Sequence, residues 1–186
     1  FFNQSLPGSS GSTIIQYNDG ILLNSGIEIN TNISLVQTED FSMSLNVNGS
    51  KLYNELVEMP TDYFTGEDKI LDGNRSAGKS LYDFYMREWA GVNPATGQAM
   101  YNLYYDDMNN DGIFNSGDSA INSMTLYMDE FPGANVQKTT TETHSDATQK
   151  YVGKNNQPDF AGGFRLNAAY KNFDISAQFT YSIGGY

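Results

Sequence analysis

From Phe173 to Ile183 the chain alternates without a break. Phe173, Ile175, Ala177, Phe179, Tyr181 and Ile183 are apolar or aromatic, and Asp174, Ser176, Gln178, Thr180 and Ser182 between them are polar. Successive side chains of a strand point to opposite faces, so this pattern predicts an extended strand with one apolar and one polar side. A helix would scatter the same residues around its axis. The run also has the length, roughly ten residues, with which a tilted strand crosses a hydrocarbon layer.

Three further segments repeat the pattern. Phe164, Leu166, Ala168 and Tyr170 alternate with Arg165, Asn167 and Ala169, and a tight turn at Lys171-Asn172 joins this strand to the next. Earlier, Ile27, Ile29, Thr31, Ile33 and Leu35 share one face, and Phe41, Met43, Leu45 and Val47 mirror them after a turn at Gln37 to Asp40. The predicted organisation is a strand hairpin over 27–48 and a second over 160–186. Residues 1–26, which include Leu6-Pro7-Gly8-Ser9-Ser10, read as a loop and strand approach. Residues 49–159 read as one long loop region, rich in Gly, Asn, Asp and Tyr and of little regular periodicity.

A soluble antiparallel sandwich also alternates. Its strands are usually about 5–6 residues long, and they present charges to water, whereas the polar faces here carry mainly Ser, Asn and Gln. Such faces suit the hydrated lumen of a membrane barrel. The fold class expected is all-β, an antiparallel transmembrane β-barrel segment with long extracellular loops and short periplasmic turns. No run approaches the roughly 20 apolar residues of a helical membrane span. The chain starts at Phe1-Phe2-Asn3 without an initiator Met and reads as part of a longer protein.

Charge and composition narrow the chemistry. A formal net charge of −12 disfavours nucleic acid as a partner. With no cysteine there is neither a thiolate metal site nor a cysteine nucleophile. The single histidine, His144, lies in a polar Thr-rich run, and no nucleophile-base spacing marks an enzyme. Trp89 could stack on a sugar but is better explained as packing, and Tyr101, Tyr104, Tyr105 and Tyr127 could contact sugars or peptides equally.

Gly73-Asn74-Arg75-Ser76-Ala77-Gly78-Lys79-Ser80 matches the phosphate-binding pattern G-x-x-x-x-G-K-[ST]. That mechanism needs a buried strand before the loop and a helix after it. Glu67-Asp68-Lys69-Ile70-Leu71-Asp72 is too charged for such a strand, although Leu81 to Met86 could be helical. An ordinary loop is the better reading.

Asp107 to Asp118 carries a stronger signal, D-x-N-x-D-G with an acid at position twelve. Calcium takes six to eight oxygen ligands, and alternate side chains of a tight loop supply them. Asp107, Asn109 and Asp111 would bind through side chains and Ile113 through its carbonyl. Asn115 would bind directly or through water, and Asp118 would close the shell around a structural Ca2+. The twelfth residue is Asp in place of the bidentate Glu, which predicts weaker binding. The competing reading is a solvated Asp/Asn turn without an ion.

Several segments jointly resemble SusC/RagA-type TonB-dependent transporters. These are Leu81-Tyr82-Asp83-Phe84-Tyr85, then Trp89-Ala90-Gly91-Val92-Asn93-Pro94-Ala95-Thr96-Gly97, Tyr104-Tyr105-Asp106 and the aspartate loop. Asn156-Gln157-Pro158-Asp159-Phe160-Ala161-Gly162-Gly163-Phe164 and Tyr170-Lys171-Asn172-Phe173-Asp174 follow in the family's order. The resemblance implies an outer-membrane barrel of about 22 strands. It implies import of oligosaccharides or peptides without bond chemistry, a SusD-like surface lipoprotein as partner, and drive from the TonB complex through regions absent here. Outer-membrane lipid would surround the barrel. The insertion Ser119 to Lys150 departs from the family's pattern. A secreted calcium-dependent adhesion or carbohydrate-binding β-domain is the alternative.

Overall fold

The computed structural model describes residues 2–5, 11, 14–18, 20–61, 66–71 and 73–186. The chain divides into two compact units, one of residues 1–22 with 56–154 and the other of 23–55 with 155–186. Strands dominate both, in antiparallel sheets, as an all-β class requires.

The second unit is built on a four-stranded sheet. Its strands are β3 (Ile21–Gln37), β4 (Phe41–Glu58), β11 (Phe160–Tyr170) and β12 (Phe173–Ile183), in the order β12-β11-β4-β3. The two predicted hairpins are therefore neighbours, because β11 returns to pair antiparallel with β4. Register aligns the apolar residues in rows: Tyr170 with Phe41 and Phe173, Ala168 with Met43 and Ile175, Leu166 with Leu45 and Ala177, Phe164 with Val47 and Phe179. Each row lies on one face because paired residues of an antiparallel ladder point the same way. Phe173, Ile175, Phe179 and Ile183 are 74%, 70%, 53% and 60% exposed, an apolar face of a size that soluble monomers avoid. On the opposite face the Ser176 hydroxyl donates to Asn167 Oδ1 (2.9 Å), and Arg165 donates to Gln178 Oε1.

Both turns lie at the same end of this sheet, and the Lys171 N–H donates to the Asp40 carbonyl at 2.9 Å. The first turn is closed by Thr38, whose N–H and hydroxyl donate to the Phe41 carbonyl while its oxygen accepts from the Phe41 N–H. Lys171 takes a left-handed φ of 52°, which the two-residue hairpin requires. At the other end, Gly162 stands beside Gly49 and Tyr181, and Tyr181 lies across the glycine pair with its hydroxyl on the Asn48 carbonyl (3.3 Å).

The strand limits differ from those expected. The hairpin is longer than 27–48 at both ends, since pairing of β4 with β11 through Ser50 and Ala161, and the bridge Leu56 to Lys79, carry the ladder past the hydrophobic pattern. Within residues 1–26, β1 (Phe2–Ser5) pairs with β2 (Ile14–Tyr17). The Leu6 to Ser10 part of the expected loop lies outside the described residues.

The region 49–159 is also more regular than its sequence suggested. It holds β5 (Asp83–Arg87), β6 (Trp89–Val92), β7 (Ala99–Asp106), β8 (Ser119–Ile121), α1 (Met124–Glu130), β9 (Val136–Thr141) and β10 (Gln149–Asn155). Strand β7 is central: it pairs with β6, β8 and β9, and β10 pairs with β5. These strands are short, so no long alternation announces them. Leu103, Tyr105, Ile121 and Ala147 are each under 5% exposed and form the core here. The buried Thr148 hydroxyl donates to the Ile121 carbonyl (2.5 Å) and accepts from the Tyr104 N–H (2.8 Å), so this polar group is satisfied.

Candidate cation site

The aspartate loop leaves the end of β7 and re-enters the sheet at β8. Asp107 is 3% exposed. Its Oδ1 accepts from the Asp111 N–H (3.1 Å) and its Oδ2 from the Gly112 N–H (2.9 Å), which winds the chain around the carboxylate. Left-handed backbone at Asn110 (φ 59°) and Gly112 (φ 71°) permits that winding. The loop closes where the Asn115 N–H donates to Asp118 Oδ2 at 2.8 Å.

Asp107, Asp111 and Asp118 each bring one carboxylate oxygen within 4.8 Å of the others. Each pair of like charges at that spacing repels by about 1 kcal/mol even at the dielectric of water. The other predicted ligands hydrogen-bond into this set through their amide nitrogens: Asn109 Nδ2 (2.9 Å) and Asn115 Nδ2 (2.8 Å) both donate to Asp111 Oδ2, and Asn115 Nδ2 also donates to the Ile113 carbonyl (2.9 Å). Of the six predicted residues, Asp107, Asp111 and Asp118 bring oxygens together, while the amide oxygens of Asn109 and Asn115 accept from the Asp111 and Gly117 N–H groups.

One atom tests the fit. Asp118 Oδ1 is buried and has no hydrogen-bond partner, a costly state for a carboxylate oxygen unless a cation meets it. The other oxygen, Oδ2, is engaged by Asn115, so Asp118 has a single oxygen to offer, as the replacement of Glu by Asp led one to expect. The donor set of hard oxygens fits Ca2+. Burial pushes the Tyr105 hydroxyl above its ordinary value, and the charges of Asp107, Asp118 and Asp111 push it further.

Sequence reasoning missed the residue that holds this loop from outside. Asn135, in the turn between α1 and β9, donates its N–H to Asp106 Oδ1 (2.8 Å) and accepts from the Asp107 N–H (2.9 Å) through its carbonyl. Its side-chain amide donates to the Asp107 carbonyl (3.3 Å) and to Asn110 Oδ1 (2.9 Å). A contact between residues 28 positions apart leaves no mark in local spacing.

The other candidates resolve differently. Tyr105 is 2% exposed and belongs to the core, packed against Phe114 at 5.0 Å, so it offers no face to a ligand. Tyr127 donates to Asp106 Oδ2 (3.1 Å), Tyr104 lies under the Lys150 ammonium, and Tyr101 meets His144 edge-on. Trp89, expected to pack, stands 65% exposed. The stretch from Gly73 to Ser80 is no phosphate cradle. The Gly78 N–H donates to the Leu56 carbonyl (2.8 Å) and the Arg75 N–H to the Leu71 carbonyl (3.0 Å). The strand β5, in place of the helix considered for Leu81 to Met86, follows it. Asp72 lies outside the described residues. Among the described residues, no helix is long and apolar enough to cross a membrane, which leaves a β-barrel open.

Long antiparallel strands, an apolar face in register and short turns at one end are features of a β-barrel wall. Comparison with known proteins places likenesses beside that description. No family model matches the chain. TonB-dependent receptor P3 of Formosa agariphila is 28% identical over 186 residues, spanning 99% of this chain and 17% of that protein. Among solved structures, the RagAB peptide transporter aligns with a TM-score of 0.58 at 21% identity, over 97% of this chain and 17% of that one. The RagAB peptide importer in its open-open state aligns at 0.62 and 22%, over 99% and 17%. The chain is similar in sequence to a TonB-dependent receptor and in fold to RagAB, and it spans about a sixth of the length of each.

Proposed function

We propose that this chain forms part of the wall and external loops of an outer-membrane β-barrel that imports nutrients in a TonB-dependent manner, with a SusD-like surface lipoprotein at its mouth. The observation that carries this reading is the four-strand sheet, whose strands β4, β11 and β12 align their apolar residues in register on one face and are bridged by Ser, Asn, Gln and Arg hydrogen bonds on the other. Lipid would cover the first face and lumen water the second. The ends of the apolar face are aromatic: Tyr170, Phe41 and Phe173 at the turns, Phe160 and Tyr181 at the far end. From the Tyr170 row to the Gly162 row the strand rises roughly 27 Å, or about 21 Å along the normal of a barrel tilted by about 40°, close to the height of an outer-membrane apolar band. The short turns are then periplasmic and the region 49–159 external.

Oligosaccharide or peptide is the ligand class proposed, and Ca2+ in the Asp107–Asp118 loop is the ion. Asp107, Asp111 and Asp118 would supply carboxylates, Ile113 a carbonyl, and Asn109 and Asn115 amide oxygens after their side chains turn. The ion would stiffen an external loop and take part in no reaction.

This chain has no cysteine, and once any cysteine elsewhere in the full-length protein is replaced by serine, single cysteines report on the two faces of this segment. With a spin label at Ile175→Cys in the full-length protein reconstituted in vesicles, collisions with oxygen dissolved in the hydrocarbon should dominate. At Ser176→Cys, collisions with a water-soluble relaxant should dominate. Equal access of the aqueous relaxant to both positions would show a soluble β-domain and overturn the barrel reading.

A further inference from the structure

We infer that Asn135 is a positioning residue for the cation site, and that the Ser119–Lys150 segment, read from the sequence as an insertion, serves to deliver it; the inference rests on the calcium reading of the Asp107–Asp118 loop. Every polar group of Asn135 is committed. The backbone N–H holds Asp106 Oδ1 (2.8 Å), and the backbone carbonyl takes the Asp107 N–H (2.9 Å). The side-chain amide donates to the Asp107 carbonyl (3.3 Å) and Asn110 Oδ1 (2.9 Å), while its oxygen accepts from Gln137 Nε2 (3.1 Å). Asp107 is therefore gripped at both its N–H and its carbonyl. Its carboxylate is the most buried of the three that converge, so its direction sets where the others must meet.

The surrounding insertion is arranged around that grip. Strand β8 closes the loop by pairing Ser119 with Asp106. Helix α1 places Tyr127, whose hydroxyl holds Asp106 Oδ2 (3.1 Å). The turn Phe131 to Ala134, closed by an Ala134 N–H to Phe131 carbonyl bond of 3.1 Å, leads straight into Asn135. Strand β9 then locks the far side by pairing Val136 with Asp106. Asp106, the residue before the first ligand, is thus held from the insertion at both of its carboxylate oxygens and on both strand edges. Groups that orient a ligand from behind commonly change metal affinity about 10–100-fold when lost.

The amide is required as a donor, and that separates positioning from simple electrostatics. Asn135→Asp would add negative charge near the ion, which by Coulomb attraction alone tightens binding. It would also set a carboxylate against the Asp107 carbonyl and Asn110 Oδ1, which breaks the grip.

The test is Ca2+ titration by calorimetry of the full-length protein in detergent, with Asp118→Asn as the site-specific reference. Binding lost in Asp118→Asn, and weakened about tenfold or more in both Asn135→Ala and Asn135→Asp, supports the inference. Binding lost in Asp118→Asn but unchanged in Asn135→Ala, or tightened in Asn135→Asp, overturns it while leaving the calcium site standing. Titrations identical in the unsubstituted protein and Asp118→Asn overturn the calcium reading itself. Circular dichroism of each variant in chelator checks that the sheet content is kept, so a loss of binding is not a loss of fold.

Discussion

Gly162 is a residue whose missing side chain matters. A Cβ there would collide first with the Asn48 backbone carbonyl oxygen, and would meet the Tyr181 hydroxyl at 2.7 Å and Gly49 Cα at 2.8 Å. Gly162→Val should therefore push β11 away from β4 as well as lift Tyr181, and cost about 1–3 kcal/mol or more, measured as a lower urea midpoint in reconstituted protein. Tyr151 supplies a pH signature. Its hydroxyl donates to the Asn74 carbonyl at 2.6 Å, and its pKa is raised chiefly by burial, against a lowering by the Ser76 side chain that outweighs the further rise from the charge of Asp83. The fold favours the neutral phenol, so the stability this contributes is fully present below the unfolded value of about 10 and is lost as pH rises towards the higher folded one. The melting temperature of the unsubstituted protein minus that of Tyr151→Phe should hold steady from pH 8 to 9 and fall above about pH 10.

At the scale of elements, each strand of the sheet is determined by its own alternation, and the register between strands multiplies the effect. Leu166 stands mid-strand between Leu45 and Ala177. An arginine there, at the centre of the apolar band, should cost roughly 2–4 kcal/mol of barrel stability, whereas Asn167→Arg on the opposite face should cost far less. Heat-modifiable mobility on gels would compare the two. The four long strands were legible because period two survives for seven residues or more in each. The strands of the middle region were not. Ser119–Ile121 has three residues and Trp89–Val92 four with a bulge, so each is decided by pairing with β7 and not by any pattern of its own. The helix Met124–Glu130 is equally brief, without a side-chain N-cap bond or a buried residue to betray it.

For the whole molecule, the candidate site shows how far local spacing reaches. The turn of the loop was legible, because D-x-N-x-D-G is a local rule of turn geometry, and of its six candidate ligands Asp107, Asp111 and Asp118 come within 4.8 Å of one another. The grip of Asn135 was not, nor was the burial of Tyr105, since both depend on segments brought together by the sheet. The proposed role, wall and external loops of an importing barrel, likewise joins a local fact to a distant one. Alternation alone determined that long strands would form, which face of each is apolar and where the tight turns fall, for these follow from side-chain direction within a few residues. Tertiary structure alone decided that β11 returns beside β4 to extend the apolar face, that the acidic loop stands on an ordered sheet, and that Asn135 from a distant turn hydrogen-bonds to it. Those outcomes depend on pairings across more than a hundred residues, where the free energy lies in register and burial and not in any single stretch of sequence.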